Sequence, residues 1–129
     1  MRGRTVAIPR LNGRKLPAVE SGGSVDDPVV KEAYQLLRRH GCTVQEAQFL
    51  RWHAEIKVAA LMHRSAINAE VEIVINNTPC GTEQFRWHPN VCAKVLMRLF
   101  PPDSSMRLTV YGSYQNNRPY QRTFGRRRS

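Results

Sequence analysis

The 129-residue chain has no apolar run near the roughly 20 residues a membrane-spanning helix needs, which excludes a helical span. Met1 is followed by Arg2, Gly3 and Arg4 with no apolar stretch behind them, so no export signal is legible. This start reads as the cut edge of a longer protein, and any signal would lie outside it. Cysteine is scarce: Cys42, Cys80 and Cys92 are the only three. An odd and small number excludes a disulfide scaffold and leaves metal ligation or ordinary burial. Acidic residues are also few, 10 Asp and Glu against 20 Lys and Arg. The resulting charge of +10 favours a polyanionic partner, nucleic acid first and an anionic membrane surface second. The excess is spread along the chain and not confined to a tail. There is no internal repeat, and Arg126-Arg127-Arg128 is the one biased run. With 41% hydrophobic residues the chain can fill one core but not two. Residues 1–129 are therefore expected to form a single domain, and any recognition surface must share it with any catalytic site.

Residues 1–26 form a basic lead-in rich in glycine and proline. Thr5-Val6-Ala7-Ile8 suits a short strand, Asn12-Gly13 a hairpin turn, and Gly22-Gly23 a flexible joint, with Pro9 and Pro17 as punctuation. Asp27-Pro28 opens a first helix, with Asp27 as cap and Pro28 at its first position. Val30, Ala33, Tyr34 and Leu37 give it an apolar stripe, and Gly41 ends it. Residues 42–52 read as a connection to a second helix near 54–66. Val71 to Ile75 is a strand rich in β-branched residues. After a loop, a third helix spans about 91–100 and stops at Pro101-Pro102. Strands are expected at 106–111 and 120–124, and 125–129 is a basic tail. The alternation predicts an α/β fold in which helices cover a sheet.

Three short segments carry ligand-type residues at the edges of elements. They are Trp52-His53-Ala54-Glu55 at a helix start, Thr78-Pro79-Cys80 at a strand end, and Asn90-Val91-Cys92 at another helix start. One imidazole and two thiolates would leave a tetrahedral Zn²⁺ an open position for water, as in catalytic and not structural sites. Residues two apart in a helix point to opposite sides. His53 and Glu55 can thus share a site only if His53 stands at the helix entrance. Cys92 stands in the positive field of a helix start, which favours the thiolate a metal requires.

This constellation resembles the cytidine-deaminase superfamily, whose signature is His-x-Glu followed by Pro-Cys-x-x-Cys. More narrowly it resembles the bacterial DddA-like DNA cytosine deaminase toxins. The residues that carry this are His53-Ala54-Glu55 with Lys57-Val58-Ala59-Ala60, then Ile75-Asn76-Asn77-Thr78-Pro79-Cys80, and Leu108-Thr109-Val110-Tyr111-Gly112. The likeness covers roughly residues 5–124. It implies a mixed sheet of about five strands with zinc-bearing helices, and one catalytic zinc on His53, Cys80 and Cys92. It also implies Glu55 as the proton carrier in hydrolysis of cytosine to uracil in single- or double-stranded DNA. The setting it implies is the toxin domain of a secreted interbacterial effector, with a cognate immunity protein, acting in the target cell's cytoplasm. The domain is expected to be monomeric and not membrane-bound. One departure stands out: eleven residues, Gly81 to Val91, separate the two cysteines, where the signature has two. His88 in that insert is a rival ligand.

Asn76 and Asn77 follow the strand into this region and suit hydrogen bonding to a base or sugar. Phe85, Arg86, Trp87 and His88 on the insert suit stacking on an extruded base and contact with its phosphate. Trp52 reads as core or pocket wall, Cys42 as a buried small hydrophobe, His63 as an outer-face residue and His40 as a helix-end residue. A non-catalytic nucleic-acid-binding module with a structural zinc is the alternative from another class. An RNA cytosine or adenine deaminase is a further one. A free-nucleoside deaminase fits the charge poorly, since a small neutral substrate gains little from such a field.

Overall fold

The computed structural model describes residues 6–11, 13–65, 70–75, 92–113 and 119–125. The lead-in is part of the sheet. Strand β1 (Val6–Leu11) turns back through Gly13, whose φ of +84° suits glycine, into β2 (Arg14–Lys15). Strand β3 (Val19–Glu20) pairs with the other end of β1. Pro9 lies inside β1, not at its end. It falls between the stretches covered by β2 and β3, where its missing N–H costs no pairing, and its carbonyl accepts from the Leu16 N–H at 2.8 Å.

Helix α1 (Pro28–Arg39) starts as its sequence predicts, with the Asp27 carboxylate accepting from the Val29 N–H at 2.9 Å. The span 42–52 is not a plain connection. It contains α2 (Val44–Leu50), held by a reciprocal capping box between Thr43 and Glu46. Helix α3 (Ala54–Ser65) is buried on nearly every side from Ala54 to Ala60, since it lies between the sheet and α1. Strand β4 (Glu70–Ile75), helix α4 (Cys92–Leu99) and strands β5 (Arg107–Ser113) and β6 (Pro119–Gly125) complete the order.

Among the described residues the sheet has six strands, against about five expected, in the order β2-β1-β4-β5-β6 with β3 beside β1. Strands β4 and β5 are parallel with α4 as their crossover, and the other pairs are antiparallel. Burial alternates along β4. Val71, Ile73 and Ile75 face the core, whereas Glu72 and Val74 face outward. Register carries that face across the sheet, from Leu11 through Val71 and Leu108 to Phe124. The helices pack here, burying Leu36, Leu37, Leu50, Ile56, Leu96 and Leu99. Cys42 is also buried, and desolvation, reinforced by Glu46, pushes its thiol above the ordinary range, the mark of an unreactive cysteine. His63 is not on an outer face. Its Nε2 is 3.0 Å from the Leu99 carbonyl, and its ring meets those of His40 and Phe100.

Candidate active site

His53 sits immediately before α3. Its carbonyl accepts from the Lys57 N–H at 3.0 Å, the first bond of the helix, while its own N–H reaches back to Leu50 at 3.1 Å. It therefore stands at the helix entrance, where its side chain is not bound by helical periodicity. Glu55, in the first turn, is 3% exposed. A carboxylate there lies in the favourable field of the helix N-terminus, largely withdrawn from water.

Helices α3 and α4 run side by side in one direction. The His63–Leu99 contact joins their C-terminal ends, and both cross back over the sheet against the direction of β4. Counting back seven residues from each partner, about 10 Å of helix, sets Cys92 level with Ile56. The C-terminal end of β4 lies at this end of the sheet too, with Ile75 paired to Ala7 and β3 paired beside it. His53, Glu55, Cys92 and the end of the strand that leads to residues 76–80 thus gather at one edge of the molecule. In parallel-stranded α/β sheets, sites form outside the carboxyl ends of strands.

Asn76, Asn77, Cys80, Phe85, Arg86, Trp87 and His88 lie outside the described residues. Among the described residues, no three His, Cys, Asp or Glu side chains form a metal-binding group. The donor chemistry nevertheless suits zinc, with a half-buried imidazole at a helix entrance, a cysteine opening the neighbouring helix, and a buried carboxylate two residues from the imidazole.

Three features of this edge went unread in the sequence. Lys57 is 6% exposed, and its ammonium donates to the carbonyls of Glu20, at 2.8 Å, and Gly22. The Gly22 N–H in turn donates to the Trp52 carbonyl at 2.9 Å. The lead-in is thus fastened on both sides of the His53–Glu55 pair. A lysine amid seven apolar residues in 54–62 was the available signal. The other two features are Phe49, whose ring lies 5.4 Å from that of His53, and Arg51, whose guanidinium lies over Trp52. Trp52 itself is half-buried beside the site.

A family model described as SCP1.201-like deaminase matches residues 8–127. No curated protein and no solved structure gives a significant match.

Proposed function

The chain belongs to the SCP1.201-like deaminase family, and from that premise we propose that it hydrolyses cytosine to uracil in DNA. The observation that supports this reading best is the pairing of His53 at the α3 entrance with Glu55 buried in the first turn. His53, Cys80 and Cys92 would hold one zinc. When bound, it supplies Lewis acidity that brings the pKa of water to about 7. Glu55 takes a proton from the attacking water, whose oxygen bonds to C4 of the base. Glu55 passes that proton to the ring nitrogen, and a second reaches the exocyclic amine. The C4–N bond then breaks, ammonia leaves, and uracil remains. Burial of Glu55 keeps this exchange away from bulk water. Asn76 and Asn77 would orient the base, and Phe85, Arg86, Trp87 and His88 would hold it and its phosphate. The charge of +10 supports a polyanionic substrate over a free nucleoside. The biological setting we propose is the toxin domain of an interbacterial effector, countered by an immunity protein and active in the target cytoplasm.

The test is uracil formation in single-stranded DNA, double-stranded DNA and RNA, with bound zinc measured in parallel. Glu55→Ala is expected to keep zinc and lose at least a hundredfold in rate, at the lower end of what a positioned acid–base group supplies. His53→Ala is expected to lose both. Full activity in Glu55→Ala would refute its role, and an RNA-only product would move the substrate to RNA.

A further inference from the structure

The α2–α3 connection carries Phe49, Arg51 and Trp52 within four residues of His53 in sequence. The guanidinium of Arg51 lies 4.5 Å from the Trp52 ring centroid and 5.8 Å from that of Tyr34. Its Nε is buried without a hydrogen-bond partner, and no carboxylate pairs with it among the described residues. Arg64 and Arg107, by contrast, pair with Glu32 and Glu70. A planar cation clamped on aromatic faces has little freedom left to lose, so it can receive a phosphate at low entropic cost. Phe49, one helical turn before His53, is 50% exposed. Its ring is tilted 56° to that of His53. An aromatic side chain held half in water beside an expected metal ligand offers a stacking face where a base would arrive.

We propose that Phe49, Arg51 and Trp52 form a strand-binding rim. Arg51, backed by Trp52, contacts a phosphate flanking the target nucleotide, and Phe49 stacks on a neighbouring base. This deepens the reading above and rests on it for the substrate class. A rim of this kind also gives the enzyme a handle on the base next to its target, and so on sequence context.

The test is binding of a fluorescein-labelled single-stranded oligodeoxynucleotide with one central cytosine, across a salt series, in a Glu55→Gln background. Arg51→Gln is expected to weaken binding and to flatten the log–log salt slope by about 0.7, the share of one phosphate contact on a single strand. Phe49→Ala is expected to weaken binding about tenfold with the slope unchanged. Arg64→Gln, at the far end of α3, is expected to change neither. If Arg51 and Phe49 serve folding alone, both variants lower the melting temperature and bind as the parent does, which overturns the rim. Should Arg51→Gln fail to fold, exposed Phe49 decides the matter alone. Loss of binding in the rim variants, with no uracil formed by wild type in any nucleic acid, would sink the deaminase reading and keep the rim. Active wild type with unchanged rim variants would do the reverse.

Discussion

His63 shows how a side chain's setting determines its pH behaviour. Its ring is half-buried between α3 and α4, and desolvation lowers its affinity for a proton, with the nearby charges of His40 and Arg39 acting in the same direction. The bond to the Leu99 carbonyl opposes this but does not reverse it. His40 is lowered as well, by burial and then by Arg39. A group whose folded pKa lies below its unfolded value of 6.5 binds more protons when unfolded. Stability is therefore unaffected well above pH 6.5 and falls as pH drops below it. We expect denaturant midpoints to decline between pH 7.5 and 5.5, and His63→Gln, which keeps a donor for Leu99, to decline less. Equal slopes in the two proteins would show that His63 does not contribute. This burial was not legible in the sequence, because its hydrogen-bond partner Leu99 lies on another helix, 36 residues away. Lys57 is similar. Its apolar neighbours were legible, but the carbonyls that satisfy it belong to a strand and turn that only the tertiary fold brings near.

Local chemistry decided which elements could be read in advance. Helix α1 carries its own cap, apolar stripe and terminating Gly41, and its bounds followed directly. Helix α2 is only seven residues long, with Ala47 and Leu50 its only buried side chains, so periodicity had little to register. Its capping box, Thr43 with Glu46, was in the sequence and was the better signal. That box also supports the rim, because α2 ends at Phe49, Leu50 and the capping Arg51. Removing the Thr43 hydroxyl leaves the Glu46 N–H without its acceptor. Thr43→Ala should therefore cost about 1 kcal/mol of stability. Circular dichroism melts would measure it. If the rim exists, oligonucleotide binding should weaken in step. A melt identical to wild type would show that α2 is held by packing alone.

At the scale of the molecule, alternation of elements sufficed to indicate an α/β fold in which helices cover a sheet. The proposed metal site is legible only through residue types at element edges, because the residues assigned to it come from three separate segments. The core bears on whether the proposed zinc would hold the fold together or only serve the reaction. Buried apolar residues link β1 through Ala7, α1 through Leu37, α2 through Leu50 and α3 through Ile56, and continue through Ile73, Leu96, Leu108 and Phe124 into the remaining main elements. These contacts need no metal. Domains that depend on a structural zinc unfold when it is removed, since their binding free energy is their folding free energy. Here a chelator such as 1,10-phenanthroline should abolish uracil formation while leaving far-ultraviolet dichroism and a cooperative melt, with the transition shifted down but not lost. Added zinc should restore the rate. Collapse of the dichroism on chelation would instead identify a structural zinc, and with it a nucleic-acid-binding module in which Glu55 has no chemical part.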